Sequence, residues 1–150
     1  MASCQIDFIR EYRKPVNGRS HERMEKRRVY REHDGKPYTV EDEIKAFLQW
    51  NVEHNGDLGT TVANFILWSK LKMLGILESP LELAKFGYAA KSGFAISDTE
   101  SFQKGIEYFY EVVFDDSTDV TIRIYVVPKN AKSLSDLTYI GSSRWTAKNK

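Results

Sequence analysis

The chain has 150 residues, 41% hydrophobic and 13% aromatic, with 22 Lys/Arg against 21 Asp/Glu and a net charge of +1. That is the size of one ordinary domain with enough apolar material for a core, which excludes wholesale disorder. The single cysteine, Cys4, excludes an internal disulfide and a cysteine-based metal site, and points to a reducing, cytoplasmic compartment.

The near-zero balance hides a pattern. Residues 1–36 carry 10 Lys/Arg and 6 Asp/Glu, residues 37–128 carry 7 and 14, and residues 129–150 carry 5 and 1. The three segments therefore have net charges of +4, −7 and +4. Such asymmetry is a statement about partners rather than about fold. It divides the chain into a basic N-terminal arm over 1–38, partly helical, a single α+β core over 39–128, and a basic C-terminal segment over 129–150 with a short strand.

In chain order, Ile6, Phe8 and Ile9 form one short apolar cluster that pins the N-terminus as a strand or helical turn. "KPVNG" (14–18) punctuates the chain. Ser20 then caps a helix over 21–33, "HERMEKRRVYREH", with a favourable Glu22–Lys26 pair at i,i+4. Its apolar residues, Met24, Val29 and Tyr30, make no wide stripe, so it has little to bury. "HDGKP" (33–37) ends it. A first core helix follows from Thr39, with Val40, Ile44, Phe47 and Leu48 at helical spacing, and stops at Asn55-Gly56. A second, "TTVANFILWSKLKML", is the central core helix. Over Val62–Leu77 it is too short and too charged to span a bilayer, so no membrane partner is expected. "SPLE" (79–82) carries a capping box that opens a third helix to about Lys91. "IEYFYEVVF" (106–114) and "VTIRIYVVP" (120–128) alternate as strands joined by "DDSTD", with flanking strands at 94–97 and 137–141. The predicted fold class is α+β: a basic arm, a three-helix N-terminal half, then a small antiparallel β-meander.

Catalytic signatures fail one by one. "GDLGTTVAN" (56–64) lacks the lysine and glycine spacing of a phosphate loop. His21, His33 and His54 have no mutual metal-ligand spacing, and "DDSTD" lacks the pattern of a calcium loop. Cys4 sits in the N-terminal segment with no evident activator. Glu107 and Glu111 fall on the polar, solvent-facing side of their strand. No catalytic residue, metal or cofactor is assigned, and the expectation is a protein that is not an enzyme.

The charge pattern remains. Arg13, Lys14, Arg19, Arg23, Lys26, Arg27, Arg28 and Arg31, with Tyr30 among them, are the candidate binding residues. Cations neutralise phosphates and release counterions, and tyrosines stack on bases. Nucleic-acid backbone contact is therefore expected through residues 10–36. The acidic body suits a basic protein surface, so the expected partner is a protein or a nucleoprotein. In size and style the chain is similar to phage and mobile-element inhibitors of host nucleic-acid machinery, such as anti-CRISPR or anti-restriction proteins. A second reading rests on element order: three helices before a hairpin resemble a winged-helix DNA-binding regulator, although a wing of "DDSTD" repels DNA. A small enzyme of unrecognised type is the third. The aromatic strands also offer a sheet edge for a homodimer.

Overall fold

Val16 and Arg19 are the closing pair of an antiparallel ladder that runs without a slip back to Cys4 opposite Arg31. Residues expected as a charged helix are thus the second strand of a long hairpin. The computed structural model describes residues 3–16, 19–32, 35–73, 94–97, 105–115 and 118–148. The hairpin consists of β1 (Cys4–Val16) and β2 (Arg19–Arg31). It is followed by α1 (Pro37–Trp50) and α2 (Leu58–Met73), linked through a 3-10 turn at Val52–His54. Strands β3 (Phe94–Ser97), β4 (Tyr108–Phe114), β5 (Asp119–Val126) and β6 (Thr138–Thr146) complete the described elements.

The six strands form one mixed sheet in the order β3-β2-β1-β4-β5-β6. β1 lies inside it, antiparallel to β2 and parallel to β4. A parallel pair needs a long crossover, and here both helices lie in sequence between the two strands. This corrects the predicted fold class. The anticipated meander exists as β4, β5 and β6, but it is half of a larger sheet whose other half comes from the supposed arm. The described residues hold two α-helices, so a three-helix half followed by a meander is not the architecture. The third predicted helix, with its capping box, lies outside the described residues.

α1 and α2 cover one face of the sheet. Cys4, Ile6 and Phe8 of β1, Val29 of β2, Tyr110, Val112 and Phe114 of β4, and Val120, Ile122 and Ile124 of β5 meet the buried faces of both helices. Phe8 is central, with its ring centroid 5.3 Å from Phe65 on α2 and 6.5 Å from Phe114. Phe65 in turn meets Phe47 of α1 at 5.2 Å. Aromatic pairs at these separations add to the energy of simple burial. The opposite face is buried at its centre too, through Gln5, Asp7, Ile9, Arg28, Phe109 and Val113. Glu111 on that face is only partly exposed; it accepts a hydrogen bond from the Tyr125 hydroxyl at 2.7 Å and lies 3.7 Å from Arg123.

Two arginines tie β2 into the body. Arg28 donates from Nε and Nη2 to both oxygens of Asp7, at 2.6 and 2.8 Å, and its guanidinium lies 5.5 Å from the Phe109 ring. Both side chains of that pair are essentially inaccessible. Arg31 reaches Glu43 of α1 at 2.5 Å and packs over Phe94 at 5.7 Å. The bidentate geometry is what makes a buried ion pair tolerable, because it replaces the lost hydration of both groups. Cys4 is also buried, not held in a peripheral segment; burial, only partly offset by Arg31, pushes its thiol up to about 12.

Two outcomes follow from this packing. Arg28→Ala leaves Asp7 buried without its two hydrogen bonds, with only the Lys26 ammonium 3.9 Å away, and costs about 3 kcal/mol in urea unfolding, whereas Asp7→Leu with Arg28→Met costs far less than the two single changes combined. In the folded protein near neutral pH Cys4 resists a thiol-specific disulfide reagent and reacts fully once denaturant is added, because burial suppresses both thiolate formation and access.

Candidate functional site

The hairpin outruns the sheet. β4 pairs with β1 only over Cys4–Arg10, and β3 pairs with β2 only over Arg28–Arg31. Beyond those limits Glu11–Val16 and Arg19–Met24 pair only with each other among the described residues, while Glu25–Arg27 pair with Phe8–Arg10 of the sheet. At about 3.3 Å per residue the free ribbon extends roughly 20 Å past the sheet. A two-stranded ribbon has no third strand or helix to bury against, so its residues stay polar. That is why the sequence here lacks the apolar alternation of a half-buried strand. In the sequence Asn-Gly follows Val16 and precedes Arg19, and that dipeptide, favoured between paired strands, is the local signal that could have found the ribbon.

Four of the nine predicted binding residues lie on this ribbon, Arg13 and Lys14 on β1 and Arg19 and Arg23 on β2, while Lys26 and Arg27 stand opposite Ile9 and Phe8 within the sheet. The other three belong to the body. Arg28 and Arg31 are committed to Asp7 and Glu43, and Tyr30 stands half-buried opposite Gln5 and beside Ala95. Lys26 is partly drawn inward, with its ammonium 3.9 Å from Asp7. Arg27 is exposed.

The register places Tyr12, Arg13, Lys14 and Val16 opposite Arg23, Glu22, His21 and Arg19, and Glu11 opposite Met24. The projecting residues 11–16 and 19–24 include four cations, Arg13, Lys14, Arg19 and Arg23, and two carboxylates, Glu11 and Glu22, a net charge of +2.

The base of the ribbon is anchored to the helical layer. Arg10 donates from Nη1 to the Gly56 carbonyl in the turn between α1 and α2. That turn is held by a buried amide network in which Asn51 bonds Asn55 at 2.7 Å, Asn55 bonds the Leu48 carbonyl at 3.0 Å and Asn64 bonds Asn51 at 2.9 Å. Asp57 caps α2 by accepting the Thr60 backbone N–H at 3.0 Å. This hydrogen bond, with lesser help from the Thr60 hydroxyl, the Gly59 N–H and Arg10, holds its carboxyl below its ordinary range. A separate cleft of about 880 Å³ opens at the other end of β4 and β5, walled by Ile106, Tyr108, Val126 and Pro128 with Lys129 and Lys132 on its loop.

No protein-family model, curated protein or solved structure matches the chain. Among the described residues no helix is long and apolar enough to cross a membrane, and no group of three or more His, Cys, Asp or Glu side chains is placed to hold a metal.

The Asp57 cap sets a direction for pH dependence. Its folded value lies below the ordinary 3.8, so the cap's stabilisation is complete above that value and is lost as pH falls through the folded one. Asp57→Ser, which keeps a capping oxygen without the charge, therefore shows a shallower fall in melting temperature between about pH 5 and pH 2 than the parent chain.

Proposed function

We propose that the chain is a non-enzymatic binding protein that blocks or modulates a nucleic-acid-handling machine, in the manner of anti-CRISPR or anti-restriction inhibitors, and that it reaches its nucleoprotein target through the β1–β2 ribbon. One observation carries the reading: Arg13, Lys14, Arg19 and Arg23 belong to a ribbon whose two strands run past the sheet and pair there only with each other among the described residues. A projecting charged element speeds encounter with an oppositely charged surface and sets the orientation of docking. The acidic stretch over 37–128 gives the chain charge of the opposite sign for a basic protein face on the same target. The conspicuous buried or part-buried carboxylates, Asp7, Glu43 and Glu111, each have an arginine neighbour, which gives them structural work.

The winged-helix reading rested on three helices preceding a hairpin. In the sheet order the β4–β5 hairpin lies between β1 and β6 and is not a free wing, so no observation favours that alternative. The test uses the full chain and an Arg19→Glu/Arg23→Glu/Arg27→Glu variant, whose changes leave the Arg28 and Arg31 anchors intact. The parent chain is expected to retain a discrete nucleoprotein from nucleic-acid-rich cell extract, and the variant to lose it while melting at an unchanged temperature. Capture of the same species by both chains sinks the proposal.

A further inference from the structure

We infer that the outer edge of β6 is a self-association surface, on which a second copy of the chain pairs its own β6 antiparallel, about a two-fold axis at Ser143. The inference is independent of the ribbon reading, because β4 and β5 separate β6 from the hairpin.

β6 closes one side of the sheet and pairs only with β5 among the described residues. One contact fixes which of its backbone groups face outward. The Ala147 N–H donates to the Thr118 carbonyl at 2.8 Å, so position 147 bonds toward β5. Antiparallel strands alternate bonded and non-bonded pairs, so Trp145, Ser143 and Gly141 bond toward β5 as well, and the backbone groups of Thr146, Arg144 and Ser142 point away from the sheet. The strand is nine residues long, with no proline and no carboxylate, and Arg144 is its one charged residue. Short length, proline or several charges normally blunt such an edge. The strand at the other end of the sheet order, β3, has only four residues. Eight large hydrophobic side chains are exposed among the described residues, and three of them, Leu134, Tyr139 and Ile140, lie on β6 or in the turn that leads into it. An exposed apolar edge of this length is a template for another strand.

The residues of β6 select a copy of the same strand as the occupant. Arg144 is already engaged with Asp115 at 3.6 Å, so a charged peptide finds nothing on this strand to match, whereas a copy needs no such match. In a two-fold antiparallel pair with its axis normal to the sheet, facing side chains share one side of the joined sheet, so the axis passes through a residue. Ile140 is the extra residue of a bulge and has no partner on β5, which confines regular pairing to Gly141 onward. An axis at Ser142 sets Arg144 against that bulge, and an axis at Arg144 sets two arginines face to face. An axis at Ser143 avoids both, with Ser142 opposite Arg144 and Gly141 opposite Trp145. It also brings the two Ser143 hydroxyls together. Within one chain the Ser143 Oγ is buried and has no hydrogen-bond partner, and a facing serine supplies one. A Cβ on Gly141 would meet nothing within 4 Å, which leaves room there for the ring of Trp145 in the second copy. The resulting dimer joins two six-stranded sheets into one and carries both ribbons.

Sedimentation velocity of the purified full chain, over a micromolar to submillimolar series, is expected to show a monomer–dimer equilibrium. Ser142→Pro removes an outward N–H from each copy and leaves the bonds to β5 in place. It should weaken dimerisation on the order of tenfold or more, with the circular dichroism of the monomer unchanged. The register is read by mild oxidation of added cysteines, a readout that does not depend on the proline variant. Ser143→Cys should give a disulfide-linked dimer, because facing positions of a non-bonded pair have Cα atoms about 4.5 Å apart. Thr146→Cys should not, since its two copies stand about 20 Å apart along the paired strands. Cys4 is buried and stays out of the reaction. A chain that remains monomeric throughout the series overturns the inference. So does a dimer that Ser142→Pro leaves unchanged, because its contact lies elsewhere. Equal crosslinking of the two cysteine variants overturns the axis at Ser143.

Discussion

The register of β1 against β2 is the constraint on which the rest of this molecule depends, and the buried Asp7–Arg28 pair is its pin. The two residues are register partners, joined by two short charge-assisted bonds inside the sheet. A slip in either direction would leave both charges buried without their hydrogen-bonding partners, a penalty of several kcal/mol. The same slip would move Phe8, Ile6 and Val29 off the helix-covered face. Polar specificity and apolar packing therefore select the same ladder. Arg31 with Glu43 adds a third tie, from the end of β2 to α1.

That base controls a tip it does not touch. The ladder is unbroken, so fixing Asp7 opposite Arg28 also fixes which residues stand opposite one another as far as Val16 and Arg19. The cations in the hairpin have two separate uses. Arg28 and Arg31 are spent within the fold, where their pairing with Asp7 and Glu43 holds the ribbon's base. The pairing of the strands further out follows from the register that these two secure.

Much of the body was legible from residue order. Val40, Ile44, Phe47 and Leu48 were predicted as one helix face, and all four are buried on α1. The alternating Tyr110, Val112 and Phe114 and the matching Val120, Ile122 and Ile124 were assigned to one side of a hairpin and line one core. These signals are local: each element buries a single face, and periodicity reports a single face well. The hairpin defeated the same method for a physical reason. Arg, Lys, Glu and Met all favour helix intrinsically, and Glu22 and Lys26 stand at helical spacing. A strand pair that meets no third strand shows no hydrophobic period to contradict that preference. Only Asn17-Gly18 argued otherwise, and its meaning depends on strands being available on either side.

The sequence by itself determined the composition of the site: an Arg-rich segment of alternating charge next to an acidic body, with the apolar residues needed to bury two helices against a hairpin. Those properties follow from residue identity and short-range spacing. Only the tertiary structure decided that β1 enters the sheet beside β4, more than ninety residues later in the chain. It also decided that Asp7 neutralises Arg28, and that the Arg-rich segment is a strand paired along its whole length with β1. Each of these depends on which strand meets which, and in what register. That choice is made by long-range packing and by the cost of burying an unpaired charge, and neither is written in any local stretch of the chain.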